Sequence, residues 1–237
     1  MNQMFHSVKN FQFTQKGESD ADLMSTNYNS KNIIVGLAKD KMLDQTLSCL
    51  NDSELSAVFA SSKNIFYQIK DSPYTFVALR NKDLPIALSR QDIDVAIGCD
   101  LYFKESIYYL QLKKIANLLI DNYKLSLISL NKKEEEINSV FSAFPNISSL
   151  LLNSTISITG YNGSLEALLL LNKCDGIVDV INTGNTIKTY GLSEVKSLCN
   201  VTHGIWTQLK KEHFATSLIN KFISLHPYLS NYDADYR

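Results

Sequence analysis

Asp175-Gly-Ile-Val-Asp-Val-Ile-Asn-Thr-Gly-Asn-Thr-Ile187 decides how this chain is read. Gly176 to Ile181 is mostly branched and apolar, the pattern of a strand covered on both faces. Thr183-Gly184-Asn185-Thr186 follows at once, with two hydroxyls, a permissive glycine and free backbone N–H groups where a helix begins. Those are the donors of a phosphate cradle. Asp179 lies inside the strand just before it, where a carboxylate serves to hold a sugar hydroxyl or a metal ion. The stretch predicts a sugar-phosphate site on a strand–turn–helix unit. A capped turn without a ligand uses the same residue types, so the flanking chain must carry the distinction.

Working outward, strands are predicted at Ile33–Leu37, Tyr74–Leu79, Asp94–Gly98, Tyr123–Leu130, Ile137–Phe144, Thr155–Thr159 and Val201–Thr207. Helical spacing appears at Lys41–Leu50, Asp83–Ser89 with Pro85 in its first turn, Pro145–Leu152, Gly163–Leu171 and Lys211–Leu225. Lys132–Glu136 reads as a solvated turn. Strand and helix alternate, so the fold class is α/β. Residues 1–31 are polar and aperiodic and are expected to form a flexible tail.

Composition narrows the function. Hydrophobic residues make up 45% and charged residues 20% of 237, which supports a packed core. A net charge of -1 argues against a nucleic-acid surface, whose affinity rests on clustered cations. No apolar run is long enough to span a membrane, and the start of the chain lacks the apolar core of a signal peptide. Cys49, Cys99, Cys174 and Cys199 are far apart in sequence and do not group with histidines. They read as free thiols of a cytoplasmic protein, with no metal site among them.

The stretch Tyr161–Leu192 resembles ATP phosphoribosyltransferase, the first enzyme of histidine biosynthesis. Gly163-Ser-Leu-Glu166 corresponds to the family's Gly-Ser-Val-Glu, and Asp175–Leu192 to its Ile-Val-Asp-x-x-x-Thr-Gly-x-Thr-Leu with a trailing Gly-Leu or Asn-Leu. A second block, Arg80-Asn-Lys-Asp-Leu-Pro85 followed by Asp94-Val-Ala-Ile-Gly-Cys-Asp100, resembles the family's Arg-x-x-Asp-Val/Ile-Pro and Asp-Leu-Gly-Ile-x-Gly-x-Asp. The resemblance runs from about residue 32 to 209. It implies two α/β lobes resembling type II periplasmic binding proteins, with a cleft between them. Lobe I would be 32–107 plus 200–237, and lobe II 108–199.

The resemblance also implies a chemistry. Phosphoribosyl pyrophosphate would place its 5′-phosphate on Thr183, Gly184, Asn185 and Thr186, and its ribose on Asp179 with Glu166. Lys39, Lys41 and Arg80 would face the leaving pyrophosphate. ATP would lie near Asp94, Gly98, Asp100, Gly163 and Ser164. Mg²⁺ would arrive bound to the phosphoribosyl pyrophosphate. The chain looks like the short form, a homodimer that works with a regulatory subunit resembling histidyl-tRNA synthetase. Plainer readings stand beside these: Glu166 as a helix-dipole partner, Asp94 and Asp100 as strand-entry and cap residues, Lys39 and Arg80 as surface charges.

The chain departs from the family at the pyrophosphate side. Lys39-Asp40-Lys41 stands where the family has Lys-Gly-Arg, Asn51–Lys70 contains no arginine, and Ser142-Ala-Phe-Pro-Asn146 replaces Thr-Lys-Tyr-Pro-Asn. Lysine lacks the planar fork with which arginine grips phosphate. Each lost electrostatic contact is expected to cost about 10²- to 10³-fold in rate. Three alternatives remain open on the sequence: a transferase of this fold with another acceptor, a type I phosphoribosyltransferase, and a non-catalytic phosphoribosyl-pyrophosphate-binding protein.

Overall fold

The first strand, β1 (Ile33–Ala38), pairs in parallel with β3 (Tyr74–Leu79) on one side and β4 (Val95–Cys99) on the other. All five residues of β4 are buried, as expected of an apolar run covered on both faces. The computed structural model describes residues 33–39, 65–68, 73–181 and 185–211. The tail expected over 1–31, the helix expected at Lys41–Leu50 and residues 212–225 of the last expected helix lie outside them.

Nine described strands make one sheet in the order β2-β3-β1-β4-β9-β5-β8-β6-β7. Short β2 (Phe66–Gln68) runs antiparallel to β3 at the edge. At the other end β6 (Ser139–Ser142) lies parallel to both β7 (Ser157–Gly160) and β8 (Gly176–Ile181). Two long antiparallel strands join these groups: β5 (Leu112–Ser129) and β9 (Ser193–Gln208). His203–Thr207 of β9 pairs with β4, whereas Lys124–Ile128 of β5 pairs with β8. The sheet thus has two halves, and the chain crosses between them inside β5 and β9. The β5–β9 register shifts between Leu118 and Tyr123. Among the described residues no helix is long and apolar enough to cross a membrane.

Helices cover each half. The first, α1 (Leu84–Ser89), starts with Pro85 in its first turn, where the missing N–H costs nothing. It buries Leu84 and Leu88 against Ile93, Phe103, Leu112 and Trp206. In the second half α3 (Pro145–Leu151) and α4 (Leu165–Leu170) feed two clusters. One holds Leu125, Leu127, Val140, Phe144 and Val201; the other holds Ile128, Leu165, Leu169, Ile177 and Leu192.

Between the halves lies α2 (Asp100–Glu105), which follows β4 directly. Its Phe103 joins the first cluster and stacks on Trp206 at 4.6 Å, while its Leu101 joins the second. Tyr102 packs edge-on against Phe144 at 5.0 Å. At its end Glu105 reaches α3. Because α3 opens on Pro145, its first free donors are the N–H groups of Asn146 and Ile147. Both donate to the Glu105 carboxylate, at 2.8 and 2.9 Å. A carboxylate there satisfies orphan donors and the helix dipole together.

Candidate active site

In open parallel sheets, ligands gather at the carboxyl ends of the strands. In the first half those ends carry Lys39, Arg80 and Asp100. Ala38 pairs with Leu79, and the Lys39 N–H donates to the Leu79 carbonyl, so Lys39 and Arg80 leave the sheet side by side. Lys39 is half-buried and Arg80 exposed. Lys41 lies outside the described residues. The turn after Arg80 is held by Asn81, which is buried and whose side-chain oxygen accepts the Cys99 N–H at 2.9 Å. Asn81 was not singled out in the sequence; its signal is a polar residue between a strand end and a proline-started helix.

The three residues expected on the nucleotide side of this half have other work. The Asp94 carboxylate accepts the Ile34 N–H at 3.0 Å. It stands before β4, at the edge of the sheet away from Lys39 and Arg80, so it ties strands together and does not reach a ligand at their carboxyl ends. Gly98 is buried, and a Cβ there would come within 2.6 Å of the Asn81 oxygen and 2.7 Å of Leu84. Its missing side chain makes room for that packing. Asp100 is buried with its carboxylate committed to Lys114, to the Thr202 hydroxyl and to the Trp206 indole N–H at 3.0 Å. A carboxylate so occupied is part of the scaffold that joins α2 to β5 and β9.

In the second half, β7, β8 and the helix starts that follow carry the remaining candidates that are described. Ser142 of β6 is level with Gly160 of β7 and with Val178 of β8. The chain after β6 and after β7 therefore emerges on one edge, at Ala143–Pro145 and Tyr161–Ser164, and β8 continues past that level to Ile181. Asp179 lies two residues from the end of β8, half-buried, with its carboxylate accepting the Val180 N–H at 2.7 Å. Alternation puts Asp179 on the face of Ile177 and Ile181, the face covered by α4. Gly163 and Ser164 are exposed, and Gly163 has φ of 126°, a conformation natural to glycine alone. Ser164 occupies the N-cap position of α4 without a side-chain cap bond, and Glu166 is half-buried in its first turn. Asn185 and Thr186 open α5 (Asn185–Thr189). Thr183 and Gly184 lie outside the described residues.

Among the described residues no three of His, Cys, Asp and Glu gather as a metal cage. The strongest shift of acidity lies elsewhere. The Lys132 ammonium, then backbone and hydroxyl donors of Asn138 and Ser139, hold Asp175 at about 2. This cluster precedes β8, at the end opposite Asp179, and anchors the strand.

Comparison with known proteins bears on the family and the fold. Residues 80–225 match the family model for ATP phosphoribosyltransferase. The chain is 24% identical over 181 residues to the ATP phosphoribosyltransferase of Halalkalibacterium halodurans, covering 72% of this chain and 83% of that one. It is 31% identical over 102 residues to that of Clostridioides difficile, covering 42% and 49%. Its fold is similar to the ATP phosphoribosyl transferase (HisG:HisZ) complex from Thermotoga maritima, with a TM-score of 0.67 at 16% identity over 84% of this chain and 99% of that one. It is also similar to the periplasmic VFT2 domain of Bordetella pertussis BvgS, with a TM-score of 0.50 at 9% identity over 85% and 93%. The class is therefore α/β with two lobes.

Proposed function

We propose that this chain, which belongs to the ATP phosphoribosyltransferase family, transfers the 5-phosphoribosyl group from phosphoribosyl pyrophosphate to N1 of ATP. One observation carries the proposal: Asp179 on β8, the Gly163–Glu166 turn after β7 and the start of α5 share the carboxyl edge of three parallel strands. That edge lies within the stretch matching the family.

In the reaction, the C1–O bond of the donor breaks with its electron pair leaving on pyrophosphate. The lone pair of N1 then forms the new bond to C1. The transition state has oxocarbenium character, so the protein's share is placement and charge stabilisation. Thr183–Thr186 hold the 5′-phosphate, Asp179 and Glu166 the ribose hydroxyls, and Lys39, Lys41 and Arg80 the departing pyrophosphate. Mg²⁺ bound to the donor would neutralise that leaving group further. We place the reaction in the cytoplasm. We also propose that this chain forms a homodimer and assembles with a companion subunit resembling histidyl-tRNA synthetase; the HisG:HisZ complex of the Thermotoga neighbour supports a companion subunit.

The test is product formation by mass spectrometry from phosphoribosyl pyrophosphate, Mg²⁺ and ATP, with and without such a companion. A phosphoribosyl-ATP product is expected. Product with another base alone would reassign the acceptor. A second reading, binding without turnover, draws on Asp40 standing where the family has glycine and on Lys41 in place of arginine. It predicts tight donor binding, no product from any acceptor, and no gain from Asp40→Gly with Lys41→Arg. A rise in rate from that pair identifies a weakened enzyme.

A further inference from the structure

We propose that Tyr161 is an aromatic platform for the flat heterocycle of the acceptor, and so a specificity-determining residue. Its role as the acceptor's platform rests on the reaction proposed above. Tyr161 is the first residue after β7, on the edge that also carries Asp179 and Glu166. Its N–H donates to the Ser142 carbonyl at 2.9 Å, and Gly163 with its positive φ fixes the turn two residues later. The loop is thus held in shape before any ligand arrives.

The ring points inward over the sheet. It stacks on Phe141 of β6, with centroids 4.7 Å apart and planes 28° from parallel. Phe141 is level with Ile177 on β8 and packs with the same cluster. Asp179 is two residues beyond Ile177 and therefore on the same face. The Tyr161 ring consequently lies over β6, across the strand from the carboxylate assigned to the ribose. The ends of β7 and β8 are two strand spacings apart, about 10 Å, and the inward ring shortens that gap.

Phe141 covers one side of the ring, yet Tyr161 remains 44% exposed. The stacked pair Phe103–Trp206, by contrast, is fully enclosed. A partly exposed aromatic ring, backed on one side and beside the proposed sugar-phosphate site, is what a nucleobase stacks on. Charge does not do this work here, because Ser142–Asn146 and Tyr161–Glu166 contain no lysine or arginine.

The test uses the full chain and titration calorimetry with ATP, tripolyphosphate and phosphoribosyl pyrophosphate in turn. Tyr161→Ala is expected to weaken ATP roughly tenfold and to leave the other two within about twofold. Tyr161→Phe keeps all three affinities. An unchanged ATP affinity in Tyr161→Ala, or an equal loss for all three ligands, overturns the platform. Should Tyr161→Ala fail to fold, Tyr161→Leu takes its place, and quenching of etheno-ATP fluorescence by the wild type but not by this variant reads the stack directly. Failure of the wild type to bind any purine or pyrimidine nucleotide also overturns the platform. Nucleotide binding through Tyr161 without phosphoribosyl-ATP formation sinks the proposed reaction and leaves the platform standing.

Discussion

At the scale of single residues, two carboxylates show how partners decide what an acid does. Asp100 is enclosed with Lys114, Thr202 and Trp206, so Asp100→Asn leaves a lysine without its counter-charge. Removing one member of a buried pair costs about 3 kcal/mol. The urea midpoint, followed by fluorescence of the single tryptophan, should fall accordingly. Asp175 offers a pH-dependent case. Its folded value of about 2 lies below the ordinary 3.8, so it contributes stability above about pH 4 that is lost as pH falls toward 2. Because Lys132 is half exposed, solvent screening limits the contribution to about 1 kcal/mol. Denaturation of wild type and Asp175→Asn should differ at pH 6 and converge near pH 2. The block Asp94–Asp100 was visible in the sequence, but the roles of its members were not. The partners of Asp100 are 14, 102 and 106 residues away, and no local spacing announces them.

At the scale of elements, strands with one environment were legible and strands with two were not. The apolar runs of β1, β3 and β4 fall within a residue of expectation. The strand expected at Tyr123–Leu130 begins instead at Leu112, and the one expected at Val201 begins at Ser193. Both are longer because they pair with each other along most of their length, while only part of each has a second neighbour: β8 beside Lys124–Ile128 of β5, and β4 beside His203–Thr207 of β9. The early part of β9 is largely exposed and the later part buried, which erases any single periodicity. The helix α2 was missed for a related reason. Six residues that divide their apolar side chains between two cores carry no one-sided stripe. The link it makes is testable. Glu105→Ala strips the cap from α3 and should cost about 1 kcal/mol, whereas Glu105→Gln should cost less because an acceptor oxygen remains. Thermal melts of the two variants would show that order; equal losses would mean that the capping bonds contribute nothing.

At the scale of the whole molecule, the carboxyl edges of the two half-sheets hold separate parts of the proposed site. Lys39 and Arg80 belong to one, and Asp179, Glu166 and Tyr161 to the other. A ligand that engages the folded chain stabilises it by mass action. Phosphoribosyl pyrophosphate at a hundred times its dissociation constant should therefore add about 2.7 kcal/mol, visible as a raised melting temperature. No shift with the donor present would remove the basis for assigning the sugar-phosphate site. The crossing of the chain inside β5 and β9 has a further consequence, for synthesis on the ribosome. Val95 is made well before Thr207, its neighbour in the sheet. Everything from β6 to β8 is translated in between. The second half can gather as soon as its contiguous segment emerges, but β4 must wait with one edge bare until β9 appears. Slow translation after residue 129 should therefore lengthen the interval in which nascent chains expose that edge and associate through it.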